Sequence, residues 1–190
     1  MKPIKMLCLI VGSALLLQGC FLQSVFKLDR EGTLRLKGMV VEIDNGETYV
    51  EASIRHLLNI LGLGTSFEME RFKPEGFSMQ QYLVLKGPEN GLAVDRKGFA
   101  NDTLQVTDLG DGQRRFVWKL GPRVQIFSDK ISKLKPEDQN KTFLVITIGF
   151  PGPVDIANTS EVADNGAYTW RISNAQLTQG VELQALYRLN

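Results

Sequence analysis

Histidine and cysteine are almost missing from this chain of 190 residues, which has one His and two Cys. A single imidazole leaves little material for a multi-histidine metal site or a Ser-His-Asp triad. Two thiols cannot build a disulfide framework or a cysteine-rich metal centre. Charge of one sign is lacking too. The 22 basic and 21 acidic residues leave +1, which argues against a nucleic-acid binder that relies on bulk positive charge. Neither GxxxxGK[ST] nor GxGxxG occurs, and there is no HExxH and no GxSxG. Repeats and low-complexity stretches are also missing. Beyond Leu17 no apolar run approaches the ~18 residues of a membrane helix. What remains is ordinary: 43% hydrophobic and 23% charged residues describe a globular chain, and the length fits one domain.

The amino terminus carries the sharpest signal. Lys2 and Lys5 precede an uncharged run from Met6 to Leu17, followed by Gln18, Gly19 and Cys20. A basic start followed by a short apolar run reads as a secretory signal. At about 1.5 Å per residue such a helix falls well short of a ~30 Å hydrocarbon core. The sequence Leu16-Leu17-Gln18-Gly19-Cys20 resembles the lipobox of bacterial lipoproteins. Leu17 and Gly19 fit that pattern well, and Gln18 is a less common choice where Ala or Ser is usual. The resemblance implies diacylglycerol transfer to Cys20, cleavage between Gly19 and Cys20, and acylation (a palmitate-type modification) of the new amino terminus. Several acyl chains, at about 0.8 kcal/mol per buried CH₂, would make attachment effectively permanent. The alternative is an ordinary cleaved signal with an incidental Cys. Phe21, standing where an Asp would retain a Gram-negative lipoprotein at the inner membrane, points to the outer membrane in such a host. The expected location is therefore a cell membrane or outer membrane, with the domain outside the cytoplasm.

The organisation expected is residues 1–19 as signal peptide, 20–32 as a lipidated tether or lead into a strand, and 33–190 as one domain. Thr33 to Ile43 begins with alternation at Leu34, Leu36 and then Val40, and reads as a strand with a bulge near Gly38. Glu47 to Leu61 reads as the principal helix. Val50, Ile54, Leu57, Leu58 and Leu61 fall on one arc, and Gly62 and Gly64 end it. From there the pattern is mostly β, over Phe67 to Phe72, Ser78 to Lys86, Thr103 to Leu109, Arg114 to Leu120, Thr142 to Phe150, Ala167 to Ile172 and Val181 to Leu189. Asp111-Gly112 marks a hairpin, and Ser128 to Leu134 a short helix or loop. Thr142 to Phe150 is apolar on both faces and therefore expected to be central. Short connections favour antiparallel pairing. The fold class expected is α+β, a mainly antiparallel curved sheet with one principal helix packed across a face.

The stretch Ile146-Thr147-Ile148-Gly149-Phe150-Pro151-Gly152-Pro153-Val154, then Asn165-Gly166 and Thr169-Trp170, resembles the LppM-type domain of bacterial lipoproteins. The resemblance implies an α+β envelope domain, for which lipid or other apolar ligand binding has been proposed, and it brings no catalytic residues. Many members carry a transmembrane helix after the domain. This sequence shows none by Asn190, so the anchor expected is the Cys20 lipid alone. The same residues also have a plain reading, with Pro151 and Gly152 shaping a turn and Trp170 packing in a core.

Chemistry-bearing candidates are few. His56 falls on the flank of the helix arc, where a structural role is the commoner one. Glu68 and Glu70 alternate with Phe67 and Met69, as paired carboxylates or as a solvated strand face. Gln113 to Lys135 holds seven bases (Arg114, Arg115, Lys119, Arg123, Lys130, Lys133, Lys135) against Asp129. Such a surface suits anionic head groups or a polyanionic envelope polymer. No cofactor, metal or nucleic acid is expected, and no enzymatic activity. Two functions stand open. One is a binding module whose helix face, Val50, Ile54, Leu57, Leu58 and Leu61, meets a lipid or other apolar ligand. The other is a structural or assembly lipoprotein holding a protein or polymer partner in the envelope.

Overall fold

The computed structural model of the protein describes residues 22–44, 68–72, 80–94, 103–121 and 139–189. Its strands are β1 (Leu22–Leu28), β2 (Leu34–Asp44), β3 (Glu68–Phe72), β4 (Gln80–Lys86), β5 (Leu92–Ala93), β6 (Thr103–Gly110), β7 (Gln113–Leu120), β8 (Thr142–Gly149), β9 (Val154–Ala157), β10 (Glu161–Val162), β11 (Tyr168–Ser173) and β12 (Val181–Arg188). One short helix, α1 (Asn174–Gln179), separates β11 from β12. The larger sheet runs β10-β11-β8-β1-β2-β4-β3, with β5 also paired to β2. The smaller runs β6-β7-β12-β9. Among the described residues every ladder is antiparallel except β1 with β8.

This corrects the α+β expectation. Among the described residues the protein is a β-sandwich, and its one helix has six residues. What covers the inner face of the larger sheet is a second sheet. Leu104, Phe116, Trp118, Leu120, Leu183, Ala185 and Tyr187 of the smaller sheet share one buried cluster with Phe26, Leu28, Leu34, Leu36, Met39, Val41, Ile146, Ile148, Trp170 and Ile172 of the larger. The segment 47–61, read as the principal helix, lies outside the described residues. Helical periodicity is a local signal, and it does not say which element closes over a sheet.

A second correction concerns the tether. Leu22–Leu28 is a strand, hydrogen-bonded to β2 on one side and to β8 on the other. Phe26 and Leu28 lie in the core, at 8% and 0% exposure. The lead into the domain is thus one of its central strands.

The expected bulge is present, one residue from Gly38. Val25 pairs with Gly38 and Phe26 with Leu36, so Lys37 is the extra residue of β2. Its carbonyl accepts the Gly87 N–H at 2.8 Å. The insertion shifts the phase of the alternation. Leu34 and Leu36 face the core before it, and Met39 and Val41 after it, while Val40 stands on the other side. Without the bulge one half of β2 would turn its apolar side chains outward. Gly38 is required by a close approach: a Cβ there would lie 2.7 Å from the Leu85 carbonyl oxygen.

β8 is central, as its sequence indicated, between β11 and β1. Val145, Ile146, Thr147 and Ile148 are all buried. The polar group this places inside is satisfied, because the Thr147 and Thr169 hydroxyl oxygens lie 3.0 Å apart across the β8–β11 ladder. The two sheets meet through aromatic rings. Phe26 stands edge-on to Trp118 at 5.3 Å, and Phe150 contacts Phe116, Tyr168 and Tyr187 at 5.6, 6.1 and 5.3 Å. Each such pair contributes about 0.5–1.5 kcal/mol beyond the area it buries.

Asn158 binds the sheets to one another by hydrogen bonds. Its Oδ1 accepts from Trp170 Nε1 and from the Gln184 N–H, both at 2.8 Å. Its Nδ2 donates to the Glu182 carbonyl at 2.7 Å, and its own N–H to the Gln184 carbonyl at 3.1 Å. The side chain thereby extends the β9–β12 ladder after the backbone has left it.

The close approach at Gly38 predicts an asymmetry between two glycines. Gly38→Ala should cost about 2 kcal/mol or more in urea unfolding, since backbone must move. Gly149→Ala, whose Cβ would meet only the Phe26 carbonyl oxygen at 3.9 Å, should cost about 1 kcal/mol or less. Equal costs would show that the bulge does not hold Gly38 against β4.

Candidate functional site

Among the described residues the strands build two recesses of ligand size. The first, about 330 Å³, lies on the outer face of the smaller sheet and is lined by Arg115, Ile156, Ala157, Asn158, Gln184, Ala185 and Leu186. Inward-facing Leu183, Ala185 and Tyr187 of β12 leave Gln184 and Leu186 on the outside. Leu186 pairs with Arg115 of β7 and with Ile156 of β9, so these three meet across the sheet. Ile156 is 68% exposed, an unusual position for a side chain of that size.

The charges around this recess are unequal in their partners. Lys119 binds Glu182 at 3.0 Å and Arg188 binds Asp155 at 2.9 Å. Arg115 reaches only the Gln184 side-chain oxygen, at 3.4 Å. Among the described residues its guanidinium has no carboxylate partner. An apolar floor with one uncompensated cation at its rim suits an apolar ligand with an acidic end.

The second recess, about 370 Å³, is polar and mixed in sign, lined by Lys27, Asp29, Glu31, Arg35, Lys37, Glu89 and Asn90. Asp29 is tied down there. It accepts from the Thr33 N–H at 2.7 Å and from Arg35 Nε at 2.9 Å. Partial burial works to raise its pKa, but the Thr33 hydrogen bond and the Arg35 contact outweigh it, so the carboxyl titrates below its ordinary value. Beside this recess Arg114 closes the end of the sandwich. It donates to the Arg30 carbonyl at 2.5 Å and lies 3.6 Å from Asp108. The Tyr187 ring, opposite Arg114 in the ladder, is fully buried, and its hydroxyl has no partner of acceptable geometry. Burial raises its pKa, and the nearby Arg114 charge only partly holds the rise back.

Three of the basic residues anticipated as one surface are described, and Arg114 lies on the opposite side of β7 from Arg115 and Lys119. Arg114 points into the end of the sandwich, Arg115 sits on the outer face, and Lys119 lies toward the opposite end of β7 in an ion pair. Arg123, Lys130, Lys133 and Lys135 lie outside the described residues. So do Gly19, Cys20, His56 and the apolar set Val50, Ile54, Leu57, Leu58 and Leu61. Glu68 and Glu70 are exposed on β3, and Glu70 binds Lys86 at 3.0 Å, which is a solvated strand face. Trp170 packs in the core at 5% exposure. Among the described residues no three His, Cys, Asp or Glu side chains are grouped to hold a metal ion.

Sequence reasoning passed over Arg115, Ile156 and Leu186 as a group. One signal was available: Leu186 breaks the alternation of β12, adding an apolar side chain on the face that Glu182, Gln184 and Arg188 make polar.

The buried Tyr187 hydroxyl makes alkaline stability the readout of this end of the molecule. A raised folded pKa means that stability is constant below the unfolded value near 10 and falls as pH rises through the folded one. Tyr187→Phe should flatten the alkaline fall in unfolding free energy above about pH 10 while leaving neutral stability within about 1 kcal/mol. An unchanged alkaline slope would place the titrating group elsewhere. No protein-family model, no curated protein and no solved structure matches this chain.

Proposed function

We propose that this protein is a lipid-anchored component of a bacterial cell envelope that acts by binding an apolar ligand and carries out no catalysis. The observation that carries this reading is the run Leu16-Leu17-Gln18-Gly19-Cys20 behind a basic start, directly ahead of the first strand. The recess formed by Arg115, Ile156 and Leu186 supplies a place for the ligand, with Arg115 available to an acidic end. Val50, Ile54, Leu57, Leu58 and Leu61, the other candidates for that role, lie outside the described residues.

A second reading, an assembly lipoprotein, is favoured by β6. Among the described residues it is an edge strand of eight residues, and Thr103, Gln105, Thr107 and Asp108 on it are exposed. Edges of this length accept a further strand readily.

Two measurements separate these outcomes. In a bacterial host the mature chain should carry acyl groups on Cys20 by intact mass. Cys20→Ala should lose them and leave the detergent-extracted membrane fraction. A mature chain with an unmodified Cys20 thiol sinks the anchor. Native mass spectrometry of the chain after incubation with envelope lipids should show a bound apolar compound, reduced about tenfold or more by Ile156→Glu. A chain that stays unliganded turns the reading toward assembly on β6.

A further inference from the structure

The position of β1 says how the domain must sit on a membrane. Leu22, the first residue of β1, pairs with Val41 of β2 and Leu144 of β8. Cys20 is two residues earlier. Two residues of chain span at most about 7 Å. The head-group layer of one leaflet is of similar thickness, on the order of 5–8 Å. A diacylglycerol on Cys20 would therefore hold the start of β1 within a head-group's depth of the hydrocarbon.

Neighbouring strands reach as far as the anchor can. β2 runs past Val41 to Asp44, and β8 begins at Thr142, two residues before the partner of Leu22. The same end holds α1, whose flanking residues Ser173 and Val181 pair with Thr142 and Leu120. A span of at most about 7 Å is all that would separate a lipid on Cys20 from this rim.

We infer that the sandwich docks end-on against the lipid bilayer that holds its acyl chains. The rim of Asp44, Asn140 to Thr142 and α1 lies among the head groups, and the strands rise steeply from it. This rests on the Cys20 anchor proposed above. The tight turns at the other end lie at 29–33, 110–113, 151–154 and 163–167. A strand of β1's length is about 23 Å long, so those turns stand roughly that far from the surface.

The orientation assigns positions to features described above. Arg114, at the far end of β7, is excluded from lipid contact. The recess at Arg115, Ile156 and Leu186 opens about 17 Å along β12 from Val181, clear of the head groups. A ligand seated there has left the bilayer.

The test uses the acylated chain reconstituted in vesicles of phosphatidylethanolamine with about one quarter phosphatidylglycerol and a trace of head-group nitroxide lipid. Cys8 falls in the cleaved segment and Cys20 is blocked by its lipid, so one added thiol carries the fluorophore. Labels at Thr142→Cys and, independently, at Asn140→Cys should be quenched about threefold more than one at Asp111→Cys. A flexible insert of about ten Gly and Ser residues between Phe21 and Leu22 should erase that difference while the chain stays on the vesicles. Equal quenching at all three positions, with Cys20 acylated by mass, overturns end-on docking and leaves the anchor standing. A Cys20 that carries no lipid overturns both.

Discussion

The edge-to-face contact of Phe26 with Trp118 lies where two sheets close over a single apolar layer, and the rest of the structure depends on that layer. A chain of this size can remove about 70% of its unfolded surface from water only if each amphipathic sheet finds a cover. Here each sheet is the cover of the other. The bulge at Lys37 serves this constraint, since it keeps Leu34, Leu36, Met39 and Val41 on one face although their spacing breaks a plain alternation. Phe150 extends the layer to its far end by contacting rings from three other strands.

Polar groups are arranged around the layer so that little is left unpaired within it. Asn158 satisfies the Trp170 indole and continues the pairing of β12, and the Thr147–Thr169 pair does the same for the outer face of β8. At the end where β7 begins, the Tyr187 hydroxyl and Arg114 Nε are buried with no partner among the described residues. A buried orphan donor costs on the order of 1–3 kcal/mol. The stability lost there is offset by aromatic packing immediately beneath it.

Placing β1 in the middle of the larger sheet links the fold to the anchor. A lipid on Cys20 would be joined to a central strand with no intervening tether, so the rim of the sheet becomes the surface that meets the bilayer. The recess on the outer face of the smaller sheet would then open to the side, clear of the head groups.

Several elements were legible because their causes are local. The alternation in Gln113–Leu120 and Val181–Arg188, the Asp111-Gly112 turn and the two-faced apolar run of Thr142–Gly149 follow from side-chain period and turn chemistry alone. The lipobox-like run and the near lack of His and Cys are likewise properties of the chain itself. Other features needed three dimensions. That a sheet and not a helix covers Phe26 and Ile148, that Leu22–Leu28 is paired on both sides, and that Arg115 meets Ile156 and Leu186 all depend on residues far apart in sequence. Periodicity states which side of a strand seeks cover, but only the closing of two sheets decides what covers it and which side chains are left together outside.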